Sequence, residues 1–290
     1  MMQNDPQQII WLASYQKSGN TWMRVFLANY FAPKGRKLSI NQLNEFTTSD
    51  VRIDYYDRAA GGQFAGETIE DSLAIRPRVQ RLIAQSKPGH HFVKTHSCIG
   101  SMNDVPLINP QVTAAAIYIM RNPFDVIPSF ARHSARTNDE MIDAMIDPKA
   151  IFRSEDGIYE MIGRWDDHIE SWLTAPGLPQ INVRYEDMIA DTQGTMRKVL
   201  TFLKVPIKES QLKQAIRASS FSELRKQERQ QGFTERPDRM DAFFVTGKSG
   251  GWREALTASQ IGRIREEFRG ALEKHYPELL EETASYAATA

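Results

Sequence analysis

Three short groups of residues carry the types and spacing that chemistry on an anion requires. Lys17-Ser18-Gly19-Asn20-Thr21-Trp22 lies in the polar turn that follows the apolar run Ile9 to Ala13. Lys17 offers a full positive charge, Ser18, Asn20 and Thr21 offer side-chain donors, and Gly19 lets the backbone approach a ligand closely. Where such a turn joins a strand to a helix, several backbone N–H groups converge on one anion. Lys94-Thr95-His96 sets a second cation beside an imidazole, whose ordinary pKa near ~6.5 suits proton abstraction at neutral pH. Arg121 opens Arg121-Asn122-Pro123-Phe124-Asp125, with Ser129 eight residues beyond it. An arginine at a strand end grips a phosphate bidentately, and Ser129 adds a hydroxyl about two helical turns on. Plainer readings exist for each: a Ser/Gly turn, a surface strand end with a lone histidine, and an arginine salt-bridged to Asp125.

These groups act together only if the chain brings them together. Ile9 to Ala13 has strand length, and Trp22, Met23, Val25, Phe26, Leu27 and Tyr30 follow at helical spacing. Ala114 to Met120 is a continuous apolar run, as expected of a strand buried on both faces of a parallel sheet. His91 to His96 and Ile181 to Tyr185 read as further strands. Helices are predicted over 72–85, 124–134, 159–173, 194–203, 211–218, 222–231 and 259–275. Residues 34–58 read as polar and mixed, 135–158 as a mobile excursion, 236–251 as a charged loop, and 284–290 as a frayed end. Strands alternating with helices predict an α/β fold, a single domain with a parallel β-sheet flanked by helices. Ligands in such sheets sit beyond the carboxyl ends of the strands. Lys17, Lys94, His96 and Arg121 all fall just past a predicted strand, so one crevice can hold them all.

The composition narrows the function classes. The 290 residues are 41% hydrophobic and 10% aromatic, enough for a sizeable core. Lys+Arg and Asp+Glu both number 36, and this zero formal charge argues against a general nucleic-acid binder. Cys98 is the only cysteine, so no internal disulfide is expected. The N-terminus lacks a basic start with a long apolar stretch, and its apolar run is too short for a signal core or a membrane span. A soluble, cytoplasmic protein is expected.

The order of residues in the first loop separates it from the nucleotide-hydrolase P-loop, where the lysine follows a second glycine. Lys17-Ser18-Gly19-Asn20-Thr21-Trp22 instead resembles the 5′-phosphosulfate loop of cytosolic-type sulfotransferases, Tyr-Pro-Lys-Ser-Gly-Thr-Thr-Trp. Gln16 stands for the proline and Asn20 for the first threonine. Arg121 to Ser129 resembles the family's 3′-phosphate site, and Lys94-Thr95-His96 the segment whose histidine is its general base. Trp165 to Trp172, Val183 to Met188 and Ser219-Ser220-Phe221 extend the resemblance, which runs from about Ile9 to Phe268.

The resemblance implies a P-loop-like sulfotransferase fold. It implies sulfuryl transfer from 3′-phosphoadenosine-5′-phosphosulfate (PAPS), with adenosine 3′,5′-bisphosphate (PAP) as product and no metal. His96, Lys17 and Lys94 would be catalytic. Lys17, Ser18, Gly19, Asn20, Thr21, Trp22, Arg121, Ser129, Tyr185, Ser219, Phe221, Gly247 and Lys248 would hold the nucleotide, with Tyr185 and Phe221 on adenine. The chain departs from the family's Arg-Lys-Gly-x-x-Gly-Asp-Trp motif at Val245-Thr246-Gly247-Lys248-Ser249-Gly250-Gly251-Trp252. Gly247 keeps a backbone contact there, and Lys248, Arg239 or Arg253 would supply the missing charge. The acceptor would be a small-molecule, lipid or glycan hydroxyl, or an amine. Its pocket would be shaped by 41–90 and 135–158, with 228–250 as a lid. The alternatives are a Mg²⁺-dependent phosphotransferase, against which the loop order speaks, and a silent nucleotide-binding module, against which His96 and Lys17 speak.

Overall fold

Alternation along two strands divides the apolar residues between two layers. In a computed structural model describing residues 8–33, 35–154 and 156–289, β1 (Ile9–Ser14) lies at the centre of a five-stranded sheet. The others are β2 (Thr47–Ser49), β3 (His91–Thr95), β4 (Thr113–Met120) and β5 (Gln180–Arg184). Their order is β2-β3-β1-β4-β5, and every pairing is parallel. Trp11, Ala13, Ala116 and Tyr118 point to one face, into a core with Phe124, Trp165 and Trp172. Leu12, Ile117 and Ile119 point to the other, against Phe26, Leu27 and Leu200. Trp11, Trp165 and Trp172 are wholly buried, and truncating a side chain of that size costs about 3–5 kcal/mol.

The register positions the site. Ala13 pairs with Thr95, and Ser14 with Ile119. The residues that follow, Tyr15 to Gly19, His96 and Arg121, therefore leave the sheet side by side.

Helices α1 (Asn20–Phe31), α2 (Ile53–Ala60), α3 (Ile69–Ala84), α4 (Pro123–Ser134), α5 (Asn138–Ile146) and α6 (Trp165–Leu173) cover the faces together with later helices. Local chemistry starts them. Thr68 and Asp71 form a capping box on α3, and Asn122 caps α4 through the Asp125 N–H at 2.9 Å, with Pro123 in the first turn.

Several boundaries differ from expectation. Residues 135–158 are not an excursion: α5 buries Met141, Ile142 and Met145 completely, behind a Thr137–Glu140 capping box. Tyr159–Met161 is a strand paired antiparallel with Ile151–Arg153, and Gly163 at φ 62° follows it, so the helix expected from Tyr159 begins at Trp165. The polar stretch 34–58 contains β2 and the start of α2. The closing helix breaks at Phe268, whose ring is buried 5.0 Å from that of Trp165. Ala284–Thr289 is a 3₁₀ turn packed against the helix Ala258–Glu267 rather than a frayed end, and Ala290 lies outside the described residues. Among the described residues no helix is long and apolar enough to cross a membrane.

Candidate active site

The loop after β1 is held in an unusual conformation. Lys17 has φ 61° and Gly19 φ 105°, both in the left-handed region. A side chain on Gly19 would bring its Cβ within 2.6 Å of Tyr185 Cδ2, so only glycine lets that ring lie against the loop. Asn20 turns its amide back onto the strand, donating to Leu12 O at 2.8 Å and Ser14 Oγ at 3.3 Å. Its side chain is a brace for the loop, and only its backbone N–H remains for an anion. Ser18 is likewise buried, with its hydroxyl 3.5 Å from Gln16 O.

A cavity of about 850 Å³ opens over these strand ends. Lys17, Gly19, Thr21, Trp22, Lys94, His96 and Arg121 face it from the loop and strand ends. Ser129, Tyr185, Ser219, Phe221 and Gly247 face it from farther along the chain. Two expected residues do not: Ser18, and Lys248, whose exposed side chain lies outside the wall. The segments expected to shape the pocket all reach it, through Asn44 and Asp54, Phe152 and Asp156, and Glu235 and Phe243.

The cavity concentrates positive charge. Lys17 Nζ sits 3.9 Å over the Phe243 ring, and its pKa falls to about 7 because it is buried and faces Lys94, Arg132 and Arg121. Among the described residues no carboxylate forms a salt bridge with Lys17, Lys94 or Arg132. Arg121 donates through Nη1 to Lys17 O at 3.1 Å and through Nη2 to Lys248 O at 3.2 Å. Its guanidinium lies 4.2 Å over the Tyr185 ring, and its Nε is buried without a partner.

Asp125 is no simple counter-ion for this arginine, being 3.9 Å away. It accepts from Ser249 Oγ at 2.9 Å, Gly250 N at 2.8 Å and Trp252 N at 3.2 Å, and so ties the 248–252 loop to α4. That loop contributes the Lys248 carbonyl rather than its charge. On the same wall Arg132 and Arg239 bring cations, Arg239 being held by two bonds to His133 O at 2.7 and 2.9 Å. Arg253 is instead paired with Glu282.

His96 is 4% exposed, with Nδ1 2.8 Å from Ser14 O. A carbonyl only accepts, so Nδ1 carries the proton and Nε2 keeps its lone pair. Burial, then Lys94, push its pKa well below the usual value, so the ring is neutral at neutral pH. Its own carbonyl accepts from His168 Nε2 at 3.1 Å, and His168 Nδ1 accepts from Tyr118 OH at 2.9 Å. Burial drives His168 to about 3, which keeps this relay neutral.

Other wall residues were not visible as site residues in the sequence. Arg24 reaches Glu235 at 2.8 Å, and although burial raises that carboxyl, Arg24 and Lys94 outweigh it and hold it at about 2. Gln16 Nε2 donates to Glu160 Oε2 at 2.8 Å, and burial pushes Glu160 up to about 7. Glu160 sits in a three-residue strand outside the quoted motifs, and no local signal marks it.

Comparison with known proteins places this geometry. Human sulfotransferase 2B1 is 26% identical over 259 residues, covering 87% of this chain and 62% of its own length. Guinea-pig (Cavia porcellus) 3-alpha-hydroxysteroid sulfotransferase is 26% identical over 272 residues, covering 92% of this chain and 84% of its own. In fold, the chain is similar to mouse sulfotransferase SULT7A1 complexed with PAP, at TM-score 0.63 and 19% identity over 99% of this chain and 91% of that one. It is also similar to retinol dehydratase complexed with retinol and PAP, at TM-score 0.65 and 17% identity over 92% of this chain and 81% of that one. The sulfotransferase domain family matches residues 7–282, and the chain therefore belongs to the sulfotransferases, enzymes that move a sulfuryl group from PAPS to an acceptor.

Proposed function

We propose that the chain transfers a sulfuryl group from PAPS to a hydroxyl or amine by in-line displacement, with His96 as general base. The observation that carries this is the meeting of Lys17, His96 and Arg121 in one cavity whose positive charge has few carboxylate partners. The donor fits what is there. Lys17 and the backbone N–H groups from Gly19 onward would take the 5′-phosphosulfate, and Arg121 and Ser129 the 3′-phosphate. Trp22, Tyr185 and Phe221 would take adenine. The donor supplies the transferable sulfuryl group and a bisphosphate leaving group. His96 Nε2 takes the proton from the acceptor as its oxygen bonds to sulfur. Lys17 neutralises the charge that builds on the departing phosphate oxygen, and Lys94 stands beside it. Differential stabilisation of that developing charge, rather than covalent catalysis, is what these side chains contribute.

The acceptor is a small molecule or a lipid or glycan hydroxyl. The whole chain acts as one domain with its core at about 9–275, and it works in the cytoplasm, in keeping with its single, unpaired cysteine. Calorimetric titration with PAP, beside ATP with Mg²⁺, tests the donor. Tight PAP binding without added metal is expected. Preference for Mg-ATP would move the chain to phosphoryl transfer, and binding of neither would remove the nucleotide site altogether.

A further inference from the structure

The pair Gln16–Glu160 belongs to no part of the donor site described above, yet both side chains face the cavity. Glu160 is 4% exposed and, among the described residues, makes no salt bridge. Its one hydrogen bond is the 2.8 Å contact from Gln16 Nε2 to Oε2. A buried carboxylate with one satisfied oxygen is costly unless something else completes its shell. Gln16 spends one of its two amide N–H bonds on Glu160, and beside the second the atoms left open toward the cavity are two acceptors, Glu160 Oε1 and Gln16 Oε1. Neither has a partner among the described residues, and neither is sealed from the cavity. Their complement is a molecule bearing adjacent hydroxyl groups, each of which both donates and accepts.

The surrounding wall favours neutral donors over a cation. Lys94 acts on Glu160 more strongly than Asp50 or Arg76, which oppose each other, and an ammonium beside Glu160 would meet the repulsion of Lys94 on the same cavity wall. Ser49, Ser154 and Asp156 face the same space, while Phe130 and Phe152, with ring centroids 4.7 Å apart, offer an apolar platform. A polar rim with an aromatic floor suits a compact ring that carries hydroxyls at its edge. It does not suit a steroid or retinoid whose length is hydrocarbon.

We infer that Gln16 and Glu160 form an acceptor-recognition pair, and that the acceptor is a neutral polyhydroxylated molecule of the sugar or cyclitol kind. The inference rests on the sulfotransferase reading above and names its acceptor class.

The test uses the full chain with PAPS and two acceptor panels: methyl glucopyranoside, methyl galactopyranoside and myo-inositol against androsterone and retinol. At least one polyol is expected to exceed both lipids in kcat/KM by about tenfold or more, as for a site that hydrogen-bonds its substrate's hydroxyls. Glu160→Gln and Glu160→Val should each raise the KM of that polyol by about tenfold, with PAP affinity changed less than about twofold. Preference for either lipid over every polyol would overturn the inference, as would variants whose polyol KM is unchanged. PAP titration of the unmodified chain separates the two levels. PAP binding without polyol sulfation overturns the acceptor class alone, whereas failure to bind PAP overturns the donor reading and the acceptor class with it.

Discussion

The Nδ1 atom of His96 lies 2.8 Å from the carbonyl oxygen of Ser14, the last residue of β1. The strand that launches the anion loop also fixes the tautomer of the histidine, because a backbone carbonyl accepts only from N–H. The histidine and the loop are thus oriented by the same residue. Replacing His96 with Ala should lower kcat for sulfuryl transfer by about 10²- to 10⁴-fold, the usual worth of a positioned base. PAP affinity, read by calorimetry, should stay within a few-fold. Full retained turnover would remove His96 from the mechanism.

Lys17 titrates near about 7 in the free protein because it is buried among Lys94, Arg132 and Arg121. A bound bisphosphate favours its charged form and raises that pKa. Binding must then take up protons above about pH 7, and PAP affinity should fall as pH rises further, by at most about tenfold per unit. Titrations in buffers of different ionisation enthalpy would reveal the uptake. A pH-independent affinity would place Lys17 away from the phosphates.

Asp125 collects three donors from the 249–252 segment, at 2.8 to 3.2 Å. Asp125→Ala leaves them unmet and releases the loop that meets Arg121 through the Lys248 carbonyl. A loss of about 2–4 kcal/mol in denaturant unfolding is expected, together with weaker PAP binding. A stability within a few tenths of the unmodified chain would mean the loop is held by other contacts.

Gly19 and Gly247 each yield to an aromatic ring. A Cβ at Gly247 would come within 2.2 Å of Phe221 Cδ2, and at Gly19 within 2.6 Å of Tyr185 Cδ2. Their φ angles of 58° and 105° add about 1–2 kcal/mol of strain for any L side chain. Gly19→Ala and Gly247→Ala should therefore displace those rings and weaken PAP binding by about tenfold or more. Equal affinity in both variants would exclude Tyr185 and Phe221 from the adenine site.

Glu160 carries a pKa of about 7 where an ordinary glutamate has 4.5. The folded protein holds this proton more tightly than the unfolded chain, so the protonated form adds stability at low pH that is lost as pH rises through about 7. Burial of the ionised form above that range costs on the order of 3 kcal/mol. Glu160→Gln should be more stable than the unmodified chain at about pH 8 and close to it at about pH 4. Urea midpoints at both values check this, and a variant less stable at pH 8 would contradict it.

Much of the site was legible because its residues lie next to the strands that carry them. Lys17, His96 and Arg121 lie past the carboxyl ends of short apolar strands, while Lys94, expected there too, lies inside β3, one residue before its end. Helix 124–134 was legible too, through Asn122-Pro123 at its start. Buried amphipathic α5 was not, because Asp and Met dominate residues 139–145 and mask an apolar stripe of only Met141, Ile142 and Met145. Tyr159–Met161 read as helix because its partner, Ile151–Arg153, is equally short.

The amino-acid order by itself determined four of the five strands, the strand–loop–helix after β1 and the family, since strand, turn and helix signals are local and the motif residues sit inside them. Tertiary structure alone decided how the side chains are used. It turned Asn20 back onto Leu12, left Lys248 outside the cavity, made Asp125 an anchor for a loop more than a hundred residues away, and set Gln16 against Glu160. Those outcomes depend on burial and on contacts between residues distant in the chain, and no spacing within a motif encodes either.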